Sequence, residues 1–159
     1  IRQLLLHSGH VAPRAEALLY AADRGHHVAT KIRPALAEGN VVITDRYLDS
    51  SVAYQGAGRV LGADEVRNLS IWATEGLLPA LTVLLDLDAE TAVARRAKTG
   101  SAPDRLEREK VEFFERVRAC YLALAEAEPT RFLVIDATES IEGIQARIRE
   151  RVSQLLTVA

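Results

Sequence analysis

The chain has 159 residues, with 22 acidic against 20 basic side chains for a net charge of -2, and 48% of its residues are hydrophobic. That length predicts one domain with a sizeable core, residues 1–159, and the near-neutral balance offers no polyanion-binding surface, which argues against a nucleic-acid partner. No apolar run approaches the ~18 residues of a membrane span, no signal-peptide pattern opens the chain, and the single cysteine, Cys120, excludes an internal disulfide framework, so a soluble cytoplasmic protein is expected.

The first residues, 1–6, read as helix, and the opening on Ile1 inside that helix leads us to expect further chain upstream. Pro13 suits a first helical turn, and residues 14–38 then read as one long helix closed by Gly39. Leu18, Ala21, Ala22, Val28, Ala29, Ile32 and Leu36 recur every three to four residues and predict its buried stripe. Tyr20, Arg24, His27 and Lys31 line a second face, and Pro34 predicts a kink or break in the last turns.

Residues 41–44 are β-branched without alternation and predict a short buried strand. A helix is expected over 64–75 with Val66, Leu69, Trp72 and Ala73 inward, then a strand over 81–87. Asp88 is a candidate N-cap for a helix over 89–98, small residues break the pattern at 99–103, and an amphipathic helix resumes over 106–126. Cys120 falls within it and reads as a buried small hydrophobe. A strand over 132–135 and a helix from Ser140 to about residue 156 complete the chain. Helices alternating with short apolar strands predict an α/β fold, a doubly wound parallel sheet with helices on both faces. Ligands of such sheets lie beyond the carboxyl ends of the strands. Asp45, Arg46, Asp86, Asp88 and Asp136 all fall there.

Asp45 after a buried strand could hold a metal through water or accept a proton, and Arg46 could clamp a phosphate with two parallel hydrogen bonds; an internal ion pair fixing a loop is the alternative. Tyr20 and Arg24, one turn apart, could sandwich and hydrogen-bond a nucleobase, or form a solvated helix face with an anchored tyrosine. Arg95, Arg96, Lys98, Arg105 and Arg108 flank the break at 99–103, as a basic flap closing over phosphates would, or as a solvated helix end. His7, His10, His26 and His27 have no ligand spacing that makes a metal site.

Asp45-Arg46-Tyr47, followed by Asp49-Ser50-Ser51-Val52-Ala53-Tyr54-Gln55-Gly56-Ala57-Gly58-Arg59, closely resembles the signature of bacterial thymidylate kinases. Leu19-Tyr20-Ala21-Ala22-Asp23-Arg24 resembles that family's aromatic-x-x-x-Arg helix, Pro34-Ala35-Leu36 follows at the family's distance, and Asp104-Arg105-Leu106-Glu107 resembles its lid, at about residues 96–106. The resemblance implies the nucleoside monophosphate kinase fold and transfer of the γ-phosphoryl of ATP to dTMP, with Mg2+, in a homodimer. It implies that Tyr20 stacks on thymine, that Arg24, Ser51 and Gln55 read the base edge, and that Tyr54 lies on the substrate side. Arg46, aided by Arg2, would hold the acceptor phosphate, Asp45 would lie near the reacting phosphates and magnesium, and Arg95 and Arg105 would serve the ATP side.

The family's Gly-rich phosphate loop with its Lys and Ser/Thr is not in these residues, nor is the strand before it, and Gly56-Ala57-Gly58 is no substitute because no lysine follows. In the family that strand lies between those matching residues 41–44 and 81–87. The expectation is therefore a βα portion before Ile1, without which residues 1–159 alone would neither fold stably nor turn over. A deoxynucleoside kinase, or a non-catalytic nucleotide-binding or regulatory module that has lost the phosphate loop, are the alternative functions.

Overall fold

The computed structural model describes residues 1, 3, 5, 10–97 and 109–158. Arg2, Arg105 and the expected lid sequence at 104–107 lie outside them. The elements in chain order are α1 (Pro13–His27), a π-helical turn (Val28–Ile32), α2 (Arg33–Ala37), α3 (Leu48–Ser51), a second π-helical segment (Val52–Gly58) and α4 (Ala63–Ala73). There follow β1 (Thr82–Asp86), α5 (Ala89–Ala97), α6 (Val111–Ala127), β2 (Phe132–Asp136) and α7 (Ile141–Val158).

The expected long first helix exists, but Pro34 does not break it. Proline has no N–H to return to the carbonyl of Thr30, and the chain takes up the mismatch in the π turn just before, where Arg33 N–H reaches back five residues to the Val28 carbonyl. The helix ends as expected, with Gly39 at φ 80° and the Asn40 N–H on the Ala35 carbonyl. Its buried stripe is Ala17, Ala21, Val28 and Ile32, whereas Ala22 and Ala29 are exposed. Leu18 is 58% and Leu36 43% exposed, so the expected stripe was too wide.

The sheet has two parallel strands among the described residues, in register from Thr82↔Phe132 to Asp86↔Asp136. Asp88 caps α5 through the Thr91 N–H at 2.8 Å, and Ser140 does the same for α7 through Gly143 N–H at 3.1 Å. Residues 41–44, expected as a buried strand, pair with no strand among the described residues: Val41 is 67% and Ile43 91% exposed. β-branched composition favours extended backbone, but a strand is stabilised by a neighbouring ladder and a covered face, and among the described residues neither reaches this segment. Trp72 is likewise 80% exposed rather than inward, while Val66 and Ser70 make the buried side of α4.

The central packing is helical. Ala53, Phe113 and Val117 form a buried cluster joining the second π segment to α6, with Tyr54, Phe114, Cys120 and Tyr121 packed against it. Cys120 is half-buried, as a small hydrophobe would be, and burial pushes its thiol above the usual cysteine value. Two glycines permit this packing. A Cβ on Gly56 would lie 2.9 Å from Ala63 Cα, and one on Gly58 would enter the Phe113 ring.

A buried ion pair fastens α3 to the sheet. Arg131, at the entry to β2, donates Nη1 and Nη2 to the two oxygens of Asp49 at 2.7 and 2.8 Å, and Nη1 also to Thr82 Oγ1 at 2.9 Å. Burial works against the Arg131 charge, but hydrogen bonds to Asp49 and Glu128 outweigh it and hold the guanidinium above its ordinary pKa. Arg131→Met in the intact protein should lower unfolding stability by about 3–5 kcal/mol, because Asp49 is left buried and unpaired. Denaturant titration would read this as a lower midpoint at unchanged slope.

Candidate functional site

The candidate site forms where the exposed 41–44 segment turns into α3. Arg46 sits at φ 66°, a left-handed conformation that costs a non-glycine residue energy and is held by its surroundings. It turns the guanidinium over the face of Tyr54, 4.9 Å from the ring centroid. Arg46 keeps an exposed side. The water it does lose works against its charge, but Tyr54, Tyr121, Asp45 and Tyr20 outweigh that and raise its pKa. Tyr20 is half-buried on α1, near enough to Arg46 to interact electrostatically.

Arg24 approaches from α1. Its Nη1 donates to Ser51 Oγ at 2.9 Å and its guanidinium lies 5.7 Å from the Tyr47 centroid. Burial pushes the Arg24 guanidinium below the usual arginine value, with Tyr47 and Asp23 partly opposing. Tyr47 is itself anchored by its hydroxyl, which donates to the Leu77 carbonyl at 3.1 Å. Ser50, the neighbour of Ser51, accepts a 2.6 Å hydrogen bond from the Tyr121 hydroxyl on α6. Adjacent serines thus tie α3 to two different helices.

The structure therefore brings together most of the expected acceptor-side residues. Arg24 meets Ser51, Arg46 meets Tyr54, and Tyr20 lies near them. Gln55 is at the inner edge, 2% exposed, with Nε2 donating to Glu16 Oε1 at 2.8 Å. Arg95 is not part of this group: it is exposed at the end of α5 and donates Nη1 to the Ala137 carbonyl just past β2 at 3.0 Å. His27 and Lys31, expected on the face of Tyr20 and Arg24, are exposed further along the helix.

The four carboxylates expected at strand ends separate by their partners. Asp86 holds Arg118 through two bonds of 2.7 and 2.8 Å, which pull its carboxyl below the usual range. Asp88 caps α5, and Asp136 accepts from the backbone and hydroxyl of Thr138 at 2.7 Å. Asp45 is exposed, and no side-chain hydrogen bond engages it among the described residues. Of the four, it alone is left available to a ligand among the described residues. No group of three side chains that could hold a metal by themselves occurs among the described residues. A cation whose other ligands are nucleotide oxygens needs only one or two carboxylates, and Asp45 fits that requirement.

Three residues that the sequence reading left without a role are built into the site: Glu16, Arg59 and Tyr121. Glu16 had a usable signal, because 16, 20 and 24 are four apart and lie along one line of α1. Arg59 closes the signature run but was given no role, and Tyr121 had no signal, since their partners lie 43–50 and 71 residues away.

A family model described as thymidylate kinase matches residues 1–148. The chain is 67% identical over 152 residues to the thymidylate kinase of Leifsonia xyli subsp. xyli, covering 95% of this chain and 72% of that protein. It is 62% identical over 157 residues to the thymidylate kinase of Clavibacter michiganensis subsp. michiganensis, covering 98% and 74%. The thymidylate kinase of Bifidobacterium longum (strain DJO10A) is 54% identical over 160 residues, covering 98% and 76%.

The half-buried Tyr121 gives a pH signature. Burial pushes its pKa from 10.0 up to about 12, although the hydrogen bond to Ser50 pulls the other way. The folded form thus keeps this proton longer than the unfolded chain, so its contribution to stability is complete below pH 10 and is lost as pH rises to about 12. Unfolding measured across that window should show a fall in stability that Tyr121→Phe makes shallower.

Proposed function

The chain belongs to the thymidylate kinase family, and from that premise we propose that it transfers the γ-phosphoryl of ATP to dTMP, giving dTDP and ADP, with the acceptor held by residues 20–55. The family's nucleoside monophosphate kinase architecture agrees with the α/β parallel arrangement of the described residues. The observation that supports the site assignment is that two guanidinium groups meet one short stretch of chain, Ser51 at the end of α3 and Tyr54 in the π-helical segment that follows. Arg24 on Ser51 is directed for a base edge, and Arg46 on Tyr54 is directed for a phosphate.

A phosphate oxygen of dTMP forms a bond to the γ-phosphorus as the bond from that phosphorus to the β–γ bridging oxygen breaks, and the electron pair leaves with ADP. Both reactants are polyanions, so alignment and charge neutralisation dominate the barrier. Arg46 supplies paired donors and a charge whose pKa its neighbours raise, so it stays cationic at any working pH. Tyr54 below it supports the guanidinium and closes one side of the sugar-phosphate region. Tyr20 offers the stacking surface for thymine, while Arg24, Ser51 and Gln55 face its polar edge. Asp45 would help hold Mg2+, which would supply charge neutralisation for the donor phosphates. Arg2, from the acceptor side, and Arg95 and Arg105, from the ATP side, complete the assignment.

We place the protein in the cytoplasm, and no described helix is long and apolar enough to cross a membrane. A homodimer through α1 and α4 is supported by their exposed apolar side chains, Leu18 at 58% and Trp72 at 80%. The two helices already pack closely, since a Cβ on Gly25 would come 2.7 Å from the Ala73 carbonyl oxygen.

A coupled assay of ADP formation tests the reaction. The intact enzyme should phosphorylate dTMP with ATP and magnesium and leave thymidine untouched; turnover of thymidine alone would overturn the assignment. Arg46→Ala should lower kcat/KM for dTMP on the order of a hundredfold while changing KM for ATP little.

A further inference from the structure

Glu16 is 0% exposed in the first turn of α1, among the most completely buried side chains of the molecule. Burying a carboxylate is costly unless its partners are well placed. Here one oxygen, Oε1, accepts both the Gln55 Nε2 bond of 2.8 Å and a contact from Arg59 Nε at 3.4 Å. Arg59 is fixed in turn by Glu109 at 2.6 Å and lies 5.2 Å from the centroid of the Phe113 ring.

A carboxylate beside a guanidinium accepts hydrogen bonds and donates none. Gln55 can therefore satisfy Glu16 in one orientation only, with its NH2 turned inward and its carbonyl oxygen turned away. That oxygen has no side-chain partner among the described residues, since the one side-chain hydrogen bond of Gln55 there is the one its Nε2 donates to Glu16. With a neutral partner at position 16, either end of the amide could face it.

We infer that Glu16 is a positioning residue that fixes the polarity of the Gln55 amide and so makes Gln55 an obligatory hydrogen-bond acceptor toward the base. This rests on the kinase reading above, with Gln55 at the base edge. A pyrimidine that carries N–H at ring position 3, as thymine and uracil do, is then matched. Cytosine presents a bare acceptor nitrogen there and meets a second acceptor, leaving two lone pairs opposed and desolvated. The buried charge serves selectivity rather than packing, which an amide or an apolar side chain would fulfil at lower cost.

The experiment compares kcat and KM for dTMP and for dCMP, with thermal unfolding, in the intact enzyme and in E16Q, Q55E and the E16Q/Q55E exchange. E16Q should raise KM for dTMP more than it lowers kcat and should cut the dTMP-over-dCMP preference about tenfold. Q55E, which sets two carboxylates face to face, should be worse. The exchange should recover much of the preference, because position 55 is again an acceptor toward the base and position 16 again satisfies it from behind. An unchanged preference in E16Q, with only a lowered unfolding temperature, would reduce Glu16 to a structural tie and overturn the inference, as would an exchange variant no better than Q55E. Failure of the wild-type enzyme to phosphorylate dTMP at all would instead overturn the kinase reading, and this inference with it.

Discussion

The proposed acceptor site depends on α3 being held at one height above the sheet, and the Asp49–Arg131 pair sets that height. Both charges are almost dry, at 3% and 8% exposed, and their two parallel hydrogen bonds allow little sliding or rotation. Thr82 completes the clasp from β1, so both strands meet α3 at a single point. Glu128 and Arg67 extend the network outward to α4. Charge pairs of this kind contribute little net stability compared with an apolar filling, but they have direction, which an apolar contact lacks. A site that must present hydroxyl, amide and guanidinium groups within a few tenths of an ångström depends on such direction.

A second support comes from aromatic rings rather than ions. Tyr54 meets Phe113 edge-on with centroids 6.0 Å apart, and Phe113 meets Phe114 in the same manner at 5.4 Å. Arg46 lies on the outer ring of this series and Arg59 on the inner one. Each such contact contributes about 1 kcal/mol. The series carries α6 into the site, although α6 supplies none of the residues expected to touch the nucleotide. Through Phe113 it packs against Tyr54, the ring that lies beneath the Arg46 guanidinium.

How much of this was legible in the sequence follows from the range of the forces. Helices with their own caps and period were readable: Asp88 caps the helix it was expected to cap, the last helix follows Ser140 as expected, and Gly39 closes the first. The run from Asp45 to Arg59 was readable as the signature of a family because its residue types are too specific for a loop. Burial of residues 41–44, Leu18 and Trp72 was misread, since an apolar side chain states a preference for contact and not the place where contact is found. The π turn before Pro34 was foreseen only as a disturbance. Glu16 escaped because a lone glutamate in a first helical turn reads as a favourable charge near the helix dipole, and its burial is decided by Gln55, 39 residues away.

Ser50 and Ser51 have identical side chains and opposite partners, Tyr121 on one side and Arg24 on the other. Neighbouring helical residues differ in direction by about 100°, and that angle alone decides which hydroxyl serves which helix. A residue inserted or removed between Asp49 and Tyr54 would leave the composition of the segment nearly intact while rotating every later side chain, so that Tyr54 would leave Arg46 and Gln55 would leave Glu16 together. The length of this segment is therefore under tighter physical constraint than its chemistry: either serine exchanged for threonine keeps a hydroxyl in place, but no substitution restores a lost register.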